Sequence, residues 1–462
     1  MCALFLKAAL GASGQTVVSA WPIRHTVASV TNATEDTHRM DMVSTKVYLR
    51  ESASGYRFAL VGSVVSEAIW PESRDMERTL MDVAAPLAGV RIIEMAGIGP
   101  GPFAGMMLAD LGADVVTVDR PGGNPWAEGG HDVMFRSRQS IAVDLKAPGG
   151  ASVVRELCRN ADGLIDTYRP GVAERLGIGP DECREVNPAL VYGRMTGWGQ
   201  DGPLAQMPGH DINYIALTGA LHAIGRKGGP PTPPLNLIGD FGGGGMLLAV
   251  GMLAGILSAR TTGVGRVIDA AMIDGASALM AMFHALRGSG DFSEDRGTHM
   301  LDTGAFFYDV YQTSDGQWVS IGAIEGQFWT ELCDVLQLPD DVRQNQLDSS
   351  RWDEFRTVLA DRVSARTRAE LDALLLGRNT CYAPVLTMRE AAEHPHNVAR
   401  GTLIEVDGVV QAAPAPRFEG KPPTAPRPQR SPGADTRAIL AGAGFDAAAI
   451  DSLIDAGTVV QT

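Results

Sequence analysis

Val90-Arg-Ile-Ile-Glu-Met95, Gly97-Ile-Gly-Pro-Gly-Pro102, Phe103 to Gly112 and Asp114-Val-Val-Thr-Val-Asp119 follow one another without interruption. A short apolar run, a glycine–proline turn, a helix-spaced stretch and a second apolar run make the opening of a βαβ unit. Both runs are mostly apolar, as buried strands are. Further runs at Gly163-Leu-Ile-Asp166 and Leu190-Val-Tyr-Gly193 extend the parallel sheet. Helical spacing at Ala151 to Arg159 and Pro180 to Val186 supplies the crossovers. A long helix from Met246 to Arg260, a strand at Arg266-Val-Ile-Asp269 and a helix from Ile273 to about Arg287 follow. The fold class expected is α/β, with a large doubly wound domain of nucleotide-binding type.

Beyond residue 300 the pattern changes. Phe306 to Tyr311, the polar turn Thr313-Ser-Asp-Gly316 and Trp318-Val-Ser-Ile321 read as a β-hairpin. Helical segments near 326–336, 351–364 and 367–375 complete a smaller α+β domain. The proline-rich stretch 412–432 reads as a linker or surface strap, and Ala438 to Gly457 as a final helical region. The boundaries expected are 85–285 with 405–462 for the large domain, 303–400 for the small one, and 286–302 as connector. Residues 1–80 show weak periodicity and read as an upstream extension without a packed role, or a start codon placed too early.

Bulk properties narrow the function. The chain has 462 residues, more than one core usually holds. Its 45% hydrophobic and 20% charged residues suit a globular enzyme. A net charge of −15 argues against a nucleic-acid groove. The five cysteines are scattered without a CxxC pair, which fits a reducing, cytoplasmic setting with neither metal cluster nor disulfide frame. No uninterrupted apolar run reaches ~18 residues, so no membrane span is expected.

Two motifs carry chemistry. Gly209-His210-Asp211-Ile212-Asn213-Tyr214 and Gly239-Asp240-Phe241 with Gly242 to Gly245 place a histidine and carboxylates on glycine-flanked turns that lead into helical stretches. Helix N-termini offer unpaired amides and a partial positive charge, which suit a developing anion. An imidazole and a carboxylate brought together there form two opposed acid–base groups. Taken singly, Asp211 and Asp240 read equally well as N-caps, and His210 as a loop histidine. Glu325 follows a predicted strand in an apolar turn, where it reads as a helix cap or as the carboxylate behind a catalytic histidine. Gly97-x-Gly99-x-Gly101 with Asp119 imitates a dinucleotide fingerprint, but Pro100 and Pro102 lack the amides a phosphate needs. Arg120, Asp144 to Lys146, Tyr168, Arg169 and Arg175 fall near predicted element ends, where arginines clamp phosphate and a tyrosine covers a base.

The chain resembles the family III CoA-transferase superfamily. The resemblance rests on Leu87-Ala-Gly-Val-Arg-Ile-Ile-Glu-Met95, Leu108 to Val116, Asp144-Leu-Lys146, Tyr168-Arg-Pro-Gly171, Arg194 to Pro203 and Asp302-Thr-Gly-Ala305. His210-Asp211, Gly239-Asp240-Phe241 and Ala323-Ile-Glu325 resemble its α-methylacyl-CoA racemase branch, and the match runs in order over about 85–460. The resemblance implies that His210 and Asp240 are the two catalytic bases and Glu325 the partner of the histidine. It implies CoA held by Arg120, Val143, Asp144, Leu145, Lys146, Thr167, Tyr168, Arg169, Arg175 and the loop Gly209, Asp211, Ile212, Asn213 and Tyr214. It further implies an interlocked homodimer, an acyl-CoA thioester substrate of lipid metabolism, and no cofactor beyond the CoA of the substrate. Neither nucleic acid nor membrane is an expected partner. The competing readings are a CoA-transferase with Asp211 as nucleophile, a nicotinamide oxidoreductase, and an inactive scaffold.

Overall fold

The computed structural model describes residues 43–50, 57–65, 85–123, 132–418 and 424–462. The chain forms two units, 1–83 and 84–462. In the first, β1 (Val43–Arg50) pairs antiparallel with β2 (Arg57–Val65). The weak periodicity there gave no hint of this hairpin, and the remainder of the expected extension lies outside the described residues.

The second unit begins as its sequence requires. Strand β3 (Arg91–Met95), helix α1 (Pro100–Asp110) and β4 (Asp114–Asp119) make the βαβ opening. Then come β5 (Gln139–Val143), α2 (Gly150–Cys158), β6 (Gly163–Asp166), α3 (Pro180–Val186) and β7 (Val191–Thr196). Next are α4 (Asp211–Leu217), α5 (Met246–Thr262), β8 (Val267–Ala271), α6 (Met272–Leu279) and α7 (Ala281–Ser289). The expected single helix from Ile273 is thus two, broken at Met280.

Six of the seven strands in the main sheet run parallel, in the order β5-β4-β3-β6-β7-β8. The chain winds outward through β3, β4 and β5, then returns to start β6 beside β3. That reversal is a topological switch point, and a crevice opens there at the carboxyl ends of the strands. One face of the sheet buries Ile93, Val116 and Leu164 against α2, and the other buries Ile92, Val115 and Ile165 against α1 and α5.

Helix α5 continues a π-helical segment, Leu237–Gly245, in which the Met246 amide donates to the Phe241 carbonyl five residues back. Together they span 26 residues, Leu237–Thr262, long and apolar enough to cross a membrane, where the sequence suggested a shorter interrupted run. One side of it instead buries Leu248, Met252 and Ile256 on the sheet. The four glycines explain the π geometry. A Cβ at Gly275 in α6 would lie 1.8 Å from the Gly243 carbonyl oxygen, so the two backbones touch with no room for a side chain.

A second sheet has β9 (Tyr308–Gln312), β10 (Trp318–Gly322) and β11 (Tyr382–Pro384), in the order β11-β10-β9. The hairpin was legible; β11 was not, being three residues long. With α8 (Gly326–Leu336), α9 (Trp352–Ser364) and α10 (Arg368–Leu375) this sheet encloses its own core around Phe306, Phe307, Trp329 and Phe355. The chain then forms the hairpin β12 (Leu403–Val406) and β13 (Val409–Ala412), which the sequence reading did not anticipate and which ends where the expected strap begins. Helices α11 (Thr436–Gly442) and α12 (Ala447–Asp455) lead to β14 (Val459–Val460), which pairs antiparallel with β5. Ile439, Leu440 and Ile450 join the core of the main sheet, so the C-terminal segment belongs with the residues before 285.

Gly275→Ala should therefore lower the thermal stability by ~1–3 kcal/mol, the usual cost of forcing atoms into a packed interior. Gly288→Ala in α7, where a Cβ meets nothing within 4 Å, serves as the control and should be neutral or stabilising. Equal melting temperatures for the two variants would contradict the packing described.

Candidate active site

The crevice at the switch point has two lobes of about 490 Å³ each, and Ile98, Thr167 and Tyr168 line both. The outer lobe brings together Arg120, Val143, Asp144, Leu145, Lys146, Thr167 and Tyr168. These come from the ends of β4 and β5, which are neighbours in the sheet, and of β6, which lies across β3 from them. Arg120 is held at this rim by a bond from its Nε to the Gly123 carbonyl, 2.7 Å. The Tyr168 amide donates to Asp166 at 2.8 Å. Burial, with help from the Asp166 carboxylate, pushes the Tyr168 hydroxyl up to about 12. Its ring is therefore a neutral, half-buried wall at any working pH.

The glycines of the Gly97–Gly101 turn have a different use from the one their spacing imitates. A Cβ at Gly97 would meet Thr167 Oγ1 at 2.4 Å, and one at Gly101 would meet Thr167 Cγ2 at 2.3 Å. Helix α1 already starts at Pro100, three residues before the expected Phe103. Its first turn makes room for Thr167, while its prolines remove amides that a pyrophosphate would use.

The inner lobe holds Arg169, Gly209, His210, Tyr214, Asn236 and Asp240, with Trp198 and four methionines, Met134, Met195, Met207 and Met272. His210 is the exposed residue just before α4. Its amide donates to Asn213 Oδ1 at 3.1 Å, which fixes the chain's entry into the helix. The Tyr214 hydroxyl donates back to the Gly209 carbonyl, and the Tyr214 ring stands edge-on to Trp198 at 4.7 Å. Together these pin the loop that presents the imidazole.

Asp240 is not at a bare helix end, as its glycine-flanked turn suggested, but in the first turn of the π-helical segment. Its amide donates to Asp211 Oδ1 at 2.7 Å. One carboxylate oxygen, Oδ2, accepts from Asn236 Nδ2 at 3.0 Å. Burial pushes the Asp240 pKa above the usual carboxylate range; Asn236 opposes the shift, Asp211 adds to it, and His210 opposes it. Asn236 was missed by sequence reasoning. An asparagine immediately before a helix normally signals a cap, and this one turns its amide to the carboxylate instead.

His210 and Asp240 therefore face one space, as an acid–base pair requires. Five other residues anticipated for the site do not line it. Asp211 is buried beneath it, 5% exposed. Ile212 and Asn213 follow in α4, and Arg175 is exposed on the short helix Val172–Arg175. Glu325 stands exposed at the N-cap position of α8, without a side-chain capping bond, beside the second sheet.

The family model for CoA-transferase family III matches residues 87–436, three quarters of the chain and all of the crevice. The chain belongs to CoA-transferase family III. Within family III it is 40% identical over 362 residues to mouse alpha-methylacyl-CoA racemase, covering 78% of this chain and 93% of that one. It is 41% identical over 364 residues to the human racemase of the same name, covering 78% and 94%. The fold matches the crystal structure of Rv3272 from M. tuberculosis with a TM-score of 0.65 at 27% identity, covering 77% of this chain and 99% of that one.

Asn236→Ala removes a donor that stabilises the ionised form of Asp240, so the Asp240 pKa should rise further. Carboxyl ¹³C titration of Asp240 in the variant and the parent measures this directly. An unchanged or lowered titration point would contradict the bonding described.

Proposed function

We propose that the chain is a racemase that inverts the α-carbon of a 2-methylacyl-CoA thioester. The observation that carries this reading is the presentation of His210 and Asp240 to the same inner lobe. It is supported by the 40% and 41% identity to two proteins named alpha-methylacyl-CoA racemase.

One group removes the α-proton, an enolate forms, and the other group returns a proton to the opposite face. His neutral with Asp protonated, and His⁺ with Asp⁻, carry the same number of protons. The two states interconvert cheaply only when their pKa values approach each other, and a carboxyl raised by burial moves toward an imidazole. The enolate oxygen needs a donor in place beforehand. Because the Asp240 amide is committed to Asp211 and the His210 amide to Asn213, the donor would be an amide of the first turn of α4, at Asp211 or Ile212. No further cofactor is needed, since the proton moves between side chains.

The CoA nucleotide would lie in the outer lobe, over Tyr168 and against Arg120 and Lys146. The acyl chain would run among Met134, Met195, Met207 and Met272, whose flexible thioethers adapt to branched chains. The transferase reading, with Asp211 forming an acyl anhydride, is less favoured because that carboxylate is buried and bonded to the Asp240 amide.

The reading includes two domains and an interlocked homodimer. Supporting it are the separate core of the second sheet and the apolar side chains that α5 leaves exposed, Val250 and Leu257. Glu325 would then reach His210 from the partner subunit.

Incubation with one enantiomer of a 2-methylacyl-CoA in D₂O should give α-deuterium and loss of optical purity without a second acyl acceptor. Transfer of CoA to a free carboxylate, with no exchange, would overturn the reading. His210→Ala and Asp240→Asn should each lower racemisation by the ~10²–10⁴-fold typical of acid–base groups, leaving CoA affinity nearly intact. Losses below ~10-fold in both would count against the assignments. Mixing His210→Ala chains with Glu325→Ala chains should restore activity, because a mixed dimer built across subunits has one intact site. No recovery in mixed dimers verified by mass would place both residues in the same chain's site.

A further inference from the structure

Asp211 is a buried carboxylate beneath the inner lobe, and its environment is unusual. The residue is 5% exposed. Its Oδ1 accepts the Asp240 amide at 2.7 Å, and its Oδ2 has no hydrogen-bond partner among the described residues. A Cβ at Gly239 would lie 2.4 Å from Asp211 Oδ1, so the residue before Asp240 must be glycine for the bond to form. A carboxylate buried with one oxygen orphaned is costly to maintain. A neutral acceptor would make the same bond to an amide at lower cost.

We propose that Asp211 is a positioning residue for Asp240: its Oδ1 ties the Asp240 backbone to the His210 helix and so sets where the second base stands. The inference rests on the two-base reading above and assigns Asp211 a part in it that is neither nucleophile nor CoA contact. His210 and Asp211 are neighbours in sequence, so the bond sets the spacing between the imidazole and the second base. A displacement of ~1 Å between reacting groups is enough to cost ~10²-fold in rate.

The charged groups around Asp240 are few. From the His210 helix come His210, which favours the carboxylate, and Asp211, which opposes it. Tyr214 of the same helix is itself held neutral by burial and by Asp240. Arg169 lines the lobe from the loop after β6. The first turn of α1 carries no titratable side chain, and α6 contributes only Asp274, which is exposed. Asp211 is thus the acidic neighbour through which a positional bond and an electrostatic effect act together.

Asp211→Asn and Asp211→Ala separate the two effects in the full-length protein. The asparagine keeps an acceptor for the Asp240 amide and loses the charge; the alanine loses both. Asp211→Asn should lower kcat by less than Asp211→Ala does and move the Asp240 limb of the kcat–pH profile to lower pH. Asp211→Ala should lower kcat by ~10²-fold with KM nearly unchanged. Carboxyl ¹³C titration of Asp240 in Asp211→Asn reads the electrostatic part without any assay of turnover, so it stands even if the racemase reading fails. A titration point that does not fall, or an Asp211→Asn variant that is folded by circular dichroism yet as inactive as Asp211→Ala, would overturn the proposal.

Discussion

The hydrogen bond from the Asp240 amide to Asp211 Oδ1, 2.7 Å long, ties together two segments that also pack through Ile215 and Ile238. On one side stands the loop and helix that present His210. On the other stands a π-helical segment that opens the 26-residue helix along the sheet. The bond forms only because Gly239 has no side chain, and the segment reaches this position only because Gly243 and Gly275 touch backbone to backbone. The glycine run therefore sets the distance between the two acid–base groups.

The sheet determines where that pair can meet a substrate. Reversal of winding between β3 and β6 leaves a crevice at their carboxyl ends, as in other doubly wound folds. Thr167 and Tyr168 follow β6 directly and line both lobes. A ligand long enough to span them would place a polar, phosphate-bearing end over Arg120 and Lys146 and an apolar end among the methionines. That division of chemistry matches an acyl-CoA better than a dinucleotide, whose two ends are alike.

Much of this was legible in the sequence because the parallel strands are mostly apolar and the glycines are clustered. β3, β4 and β6 fall within a residue of the runs that announced them, β7 runs three residues past its own, and His210 and Asp240 stood out by their flanking glycines. The residues that escaped are those whose role depends on tertiary contact. Asn236 resembles a cap until its amide is seen on Asp240. Asp211 looked accessible beside His210 and is instead turned inward, because α4 begins there and rotates its first residue toward the π-helical segment. Short elements such as β11 and β14 carry too few residues for periodicity to register; pairing partners far along the chain define them.

The central claim is that two groups serve opposite faces of the α-carbon, each with its own proton. The isotopic outcome of the first turnover tests it most directly. Enzyme in D₂O, mixed in excess with one enantiomer of an undeuterated 2-methylacyl-CoA and quenched before a second turnover, is analysed for label in product and recovered substrate. The account predicts deuterium at the α-carbon of the inverted product, with the recovered substrate still largely protonated. Product that retains the original proton would mean that a single group carries it from face to face, and would contradict the account.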